Sequence, residues 1–305
     1  MKLLCIFALT ALLAACAGGG GGGGSSASNG NVTTTATGFS GQSSWTSTSG
    51  GQVTSVGTYN QGTSGLTYTE TVNSSNVVQS NSFTSSAGTT VSFNRANGDT
   101  IANVATGPLA NKTYYESNGN DVALISPASL NGWSYQGYGV WITGGSGTSG
   151  TAGGGSTGTL TTGVAIPTTG TATFTGTSSG VYVNYAGQGY LTGSNLTANV
   201  DFANRTVGFA TSGTQALITG QSSTWIAANG LNMTGNLSYA SATNLITGSV
   251  ATSGMGPGSS GNAASLTGSA TGKFYGPTAN EVGGTFNVKA GSGVESYMGA
   301  FGAKR

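Results

Sequence analysis

The chain of 305 residues contains no histidine. That removes the commonest metal ligand and the commonest general base, and with them haem ligation through imidazole. Charge is almost as scarce: Lys and Arg together number 8, Asp and Glu 7, and the formal net charge is +1. No face can be basic enough to neutralise a run of phosphates, which argues against nucleic acid as a partner. There are five prolines, two cysteines and, after residue 16, no runs of Ala, Leu, Glu or Lys, so long helices are not expected. What is abundant is glycine, 56 residues, with Ser, Thr and Asn supplying most of the remaining polar positions. Aromatic residues make up 9% and are spread along the chain, unlike the composition of a disordered one. Thr, Val, Tyr and Phe suit strands, and Gly and Asn suit corners. The expected class is all-β.

The N-terminus carries Met1-Lys2 followed by an apolar stretch from Leu3 to Leu13, too short to span a bilayer as a helix. Residues 1–15 read as a secretory signal peptide. Leu13-Ala14-Ala15-Cys16 resembles the lipobox of bacterial lipoproteins. What that implies is lipidation of Cys16, cleavage just before it and anchoring to a membrane through the acyl chains. Cys5 would leave with the signal peptide, so no disulfide is expected in the mature chain. Ala17 follows the cysteine, where an aspartate would favour the inner membrane, so the outer membrane is the expected location. Residues 16–38, rich in Gly and Ser, read as a flexible tether.

From 39 to 142, short strand-like runs alternate with turns: Val53 to Tyr59, Leu66 to Val72, Val77 to Phe83 and Val91 to Phe93. Asn97-Gly98-Asp99 and Asn118-Gly119 are hairpin signals. Ser126 and Pro127 could cap and open one helical turn. Residues 143–163, almost wholly Gly, Ser and Thr, read as a linker or loop. After it the period of two is clean. Leu196, Ala198, Val200 and Phe202 share a face, as do Leu231, Met233, Leu237 and Tyr239, then Leu266, Ala270 and Phe274, then Val282, Phe286 and Val288. About eight such runs follow Thr171, a number that closes a barrel filled by its own side chains. The expectation is a β-rich domain at 39–142 followed by an eight-stranded antiparallel soluble β-barrel at 164–305.

Phe274-Tyr275-Gly276-Pro277-Thr278-Ala279-Asn280-Glu281-Val282-Gly283-Gly284-Thr285-Phe286 resembles a hallmark of the transferrin-binding-protein B-like surface lipoproteins. The ending Phe301 to Arg305 is similar to that family's terminal strand, Pro167 to Gly176 to the strand opening its barrel, and Tyr135 to Trp141 to the last strand of its "handle" domain. The resemblance implies a lipid-anchored, handle-plus-barrel protein on the cell surface. Relatives of that kind capture transferrin, haemoglobin, haem or complement regulators. This chain departs from the transferrin-binding members in having one handle and barrel and few charges.

Catalytic motifs are poorly supported. Gly145 to Gly150 spells a dinucleotide fingerprint, but in a linker that opens no helix. Gly154-Gly155-Ser156-Thr157-Gly158 spells a nucleophile elbow without a histidine to serve it. Asp201 and Glu281 could be imagined as paired carboxylates, but solvated or capping roles suit them better. No catalytic residue, metal site or cofactor is expected. Of the aromatics, Trp133, Tyr135 and Trp141 share one parity and Tyr138 the other, so that one set should be core and the other could be a binding patch. Tyr114, Tyr115, Tyr182 and Tyr185 could ligate or stack on haem. The expected function is a non-enzymatic, monomeric surface lipoprotein that captures a host protein or a nutrient ligand such as haem through its loops. The alternatives are a structural or adhesive surface lipoprotein, and an integral outer-membrane barrel whose apolar rows would face lipid.

Overall fold

The computed structural model describes residues 25–28, 30–117, 119–218, 225–259 and 265–305, so Cys16 and Asn118 lie outside the described residues. Two antiparallel sheets account for nearly all of it. The first contains β1 (Ser25–Ser28), β2 (Asn31–Ser47), β3 (Val53–Val56), β4 (Asn60–Gln61), β5 (Leu66–Val72), β6 (Val78–Thr84), β7 (Thr90–Asn94), β8 (Thr100–Val104), β9 (Lys112–Ser117), β10 (Asp121–Ser126), β11 (Gln136–Ile142) and β12 (Ser149–Gly158). Its order is β7-β6-β5-β2-β12-β11-β10-β9-β8, with β1, β3 and β4 added along β2. The sheet curls until its two edges approach each other. Across the gap Arg95 donates to the carbonyl oxygens of Val78 and Ile101. Leu66, Phe83, Val91, Phe93, Ile101, Tyr115 and Trp141 fill the hollow of the curl.

The second sheet contains β13 (Thr171–Val183), β14 (Gly189–Asp201), β15 (Thr206–Ile218), β16 (Ile226–Ala227), β17 (Met233–Ser238), β18 (Ile246–Thr252), β19 (Thr267–Tyr275), β20 (Glu281–Lys289) and β21 (Ser296–Lys304). β16 is a two-residue addition to β15. The other eight close on themselves, because β13 pairs with both β14 and β21, and β14 pairs with β15. The apolar rows read from the sequence point inward. Leu196, Val200, Phe202, Leu237, Ala270, Phe274, Val282, Phe286 and Val288 are all buried in one core. An eight-stranded barrel has an interior that side chains can fill, and here Phe209 meets Phe301 and Phe286 meets Tyr297 edge to face across it.

Two expectations give way. The tether was expected to run through residue 38, but β2 starts at Asn31 and is bonded on one side to β5 and on the other to β12. The stretch 143–163 was expected to be a linker, but β12 occupies its centre. The physical reason is the same in both cases: backbone hydrogen bonds from two neighbours hold a strand whose side chains offer little. Glycine is needed there for space, since a Cβ on Gly153 would stand 2.5 Å from the Gly41 carbonyl oxygen. Two smaller differences concern turns. Gly98 adopts a left-handed conformation after a 3-10 turn, but it links the two sheet edges rather than a hairpin. The helical turn α1 (Ala128–Asn131) has Pro127 in the capping position, while Ser126 ends β10.

A third cluster joins the two sheets. Leu124, Trp133, Tyr138, Val140 and Ala152 of the first pack on the outer face of the barrel at Val181, Leu191, Met298 and Ala300. Close approach depends on small residues, for a Cβ on Gly154 would lie 2.6 Å from the carbonyl carbon of Gly299.

Candidate binding surface at the open end of the barrel

The barrel's connections divide into two ends of different character. At one end the turns are short: 202–205, 239–245 and 276–280. The segment entering β13 crosses this end, with Ile166 buried in the core. At the other end stand the connection 184–188, the described parts of two longer ones (225–232, and 253–259 with 265–266), and the connection 290–295. This second end is the candidate binding surface. Tyr185 is 55% exposed there and Ile226 39%. The described residues of these four loops carry one ionisable acid, Glu295, which is buried, and no base. The handle reaches the same end. Val53 donates its N–H to the Gly187 carbonyl at 2.9 Å, and the Trp225 indole nitrogen lies close to Gly107. Between the units, Ser43, Val56, Gly57 and Tyr59 face Asn287, Lys289 and the 290–296 hairpin across a cleft of about 130 Å³. A shallower groove of about 570 Å³ lies over β17–β19, lined by Thr234, Asn236, Ser249, Ala251 and Thr267 among others.

The aromatic candidates from the sequence are mostly spoken for. Trp141 is in the handle core against Phe83, 5.0 Å between ring centroids. Tyr138 does point to the opposite face, but that face is covered by the barrel, where its hydroxyl meets Thr177 at 2.8 Å. Trp133 precedes β11, so strand parity does not govern it, and it packs beside Tyr138. Neither face of β11 is therefore a ligand patch; the second face is the contact between the two units. Tyr135, partly exposed, contributes its backbone N–H to the same contact. Tyr114 donates to Glu116 at 2.9 Å and Tyr115 to Glu70 at 3.2 Å. Tyr182 is buried and donates to Glu295. Burial pushes the hydroxyls of Tyr114, Tyr115 and Tyr182 well above the usual tyrosine range, and their carboxylate partners push the same way. That opposes the tyrosinate that axial ligation of haem requires. Tyr185 alone of these candidates is a surface aromatic.

Among the described residues no three His, Cys, Asp or Glu side chains group in a way that could hold a metal ion. Asp201 caps the 202–205 turn, accepting from Asn204 N–H at 3.0 Å, and takes no part in a site with Glu281. Ser156, the serine of the elbow-like string, is buried and bonded to the Tyr275 hydroxyl at 2.7 Å. Gly145 to Thr148 lie in the turn between β11 and β12, and Ser149 and Gly150 open β12.

Sequence reasoning missed the role of the hallmark segment, which is to seat the handle. Tyr275 holds Ser156, and Gly276 donates its N–H to the Thr159 carbonyl at 2.9 Å. Glu281 accepts from the N–H groups of Ser134 and Tyr135, and Gly283 leaves room for Gln136. Gln136 in turn donates to the carbonyls of Val282 and Ala303 at 3.0 and 2.9 Å. Burial raises the Glu281 carboxyl above the usual carboxylate range, opposed by the N–H donors of Ser134, Tyr135 and Gln136 and by Lys304.

Residues 166–305 match the model of a family described as the C-lobe and N-lobe β-barrels of Tf-binding protein B. The barrel belongs to the transferrin-binding protein B-like family. Solved structures similar to this chain include a transferrin-binding protein B from Haemophilus parasuis Hp5, 20% identical, covering 78% of this chain and 51% of that one, with a TM-score of 0.44. A surface lipoprotein is 15% identical, covering 87% of this chain and 98% of that one, with a TM-score of 0.47. The isotype 1 transferrin-binding protein B of serogroup B Neisseria meningitidis is 14% identical, covering 90% and 76%, with a TM-score of 0.40. This chain thus spans about half the length of the Haemophilus protein. No curated protein matches the sequence. In a barrel of the transferrin-binding protein B type, the open end described above is built on the same eight strands as the matched region.

Proposed function

We propose that this chain is a lipid-anchored protein of the bacterial outer membrane that captures a host protein with the open end of its barrel and the neighbouring handle loops. The observation that carries this reading is the family match over 166–305, whose named member binds transferrin. Capture rather than catalysis agrees with the absence of histidine and with the structural roles found for Ser156, Asp201 and Glu281. Cys16 is the proposed lipidation site.

The geometry gives this reading a direction. Gly38 of β2 pairs with Thr157, and Thr159 bonds to Gly276 at the short-turn end. β2 begins seven residues earlier, at Asn31, and β1 folds back along it so that Ser25, the first described residue, stands beside Thr34, still four residues to the short-turn side of Gly38. A lipid at Cys16 would hold that side toward the membrane and present the open end outward.

The test is capture by purified, tether-bearing protein of transferrin, haemoglobin and a complement regulator, with a parallel haem titration followed by absorbance. Saturable capture of one of the proteins is expected. Binding of none of them, or tight binding of haem alone, overturns the reading.

A further inference from the structure

Three loops of the open end are tied together by buried side chains rather than left as independent turns. Glu295, at the end of the 290–295 hairpin, is 2% exposed. Its Oε1 accepts the Tyr182 hydroxyl of β13, and its Oε2 accepts the Ser259 hydroxyl at 3.1 Å from the 253–266 connection. Tyr182 is fully buried beside Tyr190, 5.7 Å between ring centroids, and Gly256 lies against the hydroxyl-bearing edge of its ring, where a Cβ would come within 2.3 Å. One residue past β13, Asn184 completes the set. Its amide donates to the Pro257 carbonyl at 3.3 Å, and its carbonyl oxygen accepts the Gln188 N–H at 2.9 Å, closing the 184–188 turn that carries Tyr185. Gly293, with φ +80°, sits beside the Tyr185 ring.

A buried carboxylate costs free energy unless its lone pairs are filled. Here the groups that fill them come from two other elements, and that is what ties the loops to one another. We infer that Glu295 is a positioning residue for recognition. It locks the loops 184–188, 253–259 and 290–295 into one preformed face and so fixes where Tyr185 stands. This rests on the proposed capture function for its purpose, but not for its mechanics. The face so fixed offers hydroxyls, backbone groups and one aromatic ring, with no free charge. It suits a protein partner held by hydrogen bonds and ring contacts, whose affinity changes little with salt. Preorganisation of this kind raises affinity by removing the ordering cost from the binding step.

The test is backbone hydrogen exchange on the full chain, comparing wild type, Glu295→Gln and Glu295→Ala. In the alanine variant, amides in 184–188 and 253–259 should exchange about ten-fold faster, equivalent to about 1.4 kcal/mol. Amides at the far end of β14 and β15 should stay unchanged. Glutamine, which keeps an acceptor for Tyr182 and a polar partner for Ser259, should restore most of the protection. Unchanged loops in Glu295→Ala, or acceleration spread over the whole barrel, overturns the inference. If Glu295→Ala fails to fold, Ser259→Ala takes its place; it should loosen 253–259 alone, and full protection there overturns the inference equally. Transferrin capture is measured on the same samples at low and high salt. Loops that loosen in a protein that captures no host protein uphold the mechanics and refute the capture reading separately.

Discussion

Glu281 receives the backbone N–H groups of Ser134 and Tyr135 on its two carboxylate oxygens, at 2.6 and 3.1 Å, so one side chain of the barrel holds two successive peptide groups of the handle. Both donors lie in the bend before β11, where the Tyr135 carbonyl also accepts the Thr159 N–H at 2.8 Å. Replacing Glu281 with Ala takes the acceptor from both donors at a part-buried contact. The expected loss is about 2–3 kcal/mol, more than a single exposed hydrogen bond would give. Chemical denaturation should show a lowered midpoint, and limited proteolysis should cut first in 131–136. A midpoint equal to that of wild type would show that the handle is seated by other contacts.

Stability should also depend on pH through two acids. Burial pushes both Glu70 and Glu281 above the usual carboxylate range. Unfolding returns each to its ordinary value, so between the two values the native state binds more protons than the unfolded chain. These groups therefore favour folding most below the ordinary glutamate range, and that contribution is lost as pH rises through their native values. Urea midpoints of wild type against Glu70→Gln/Glu281→Gln, taken from about pH 4 to about pH 7, should diverge with the wild type falling. Parallel curves would contradict the assignment.

Gly154 and Gly299 meet backbone to backbone where the handle lies on β21. Alanine at position 154 would need the sheets to part, since its Cβ would stand 2.6 Å from Gly299. Overpacking of this kind costs about 1–3 kcal/mol. Gly291, with nothing near its Cβ position, is the control, and Gly291→Ala should leave the melting temperature almost unmoved.

Tyr185 should matter for capture and not for folding. It is exposed at the tip of the 184–188 turn and outside the buried core. Tyr185→Ala is expected to weaken binding of the captured protein by at least about ten-fold, as for an aromatic anchor, at an unchanged melting temperature. Surface plasmon resonance on immobilised wild-type and variant protein measures this. Equal affinities would move the contact elsewhere on the open end.

Anchoring is tested at Cys16. In cells labelled with a palmitate analogue, wild type should take up label and partition into detergent, while Cys16→Ala should do neither. Label on the alanine variant would place the lipid at another residue.

The sequence by itself determined the barrel. Alternation of Leu, Phe and Val with Thr, Ser and Asn from β13 to β21 places every second side chain inward, and eight such strands can bury those side chains by closing into a barrel. The absence of histidine and the scarcity of charge were equally direct, because composition survives any folding. The tertiary structure alone decided what lies against what. Period two gives Tyr138 and Trp141 opposite faces but cannot say that both are covered, one by the handle core and one by the barrel. Runs such as Gly153-Gly154-Gly155 carry no apolar pattern and read as loop, yet form a central strand because the neighbouring sheets need their missing side chains. Nothing in the local sequence sets Glu281 or Glu295 apart from the other five acids. Their partners come from residues 147 and 113 positions away in the chain, a separation that no local pattern encodes.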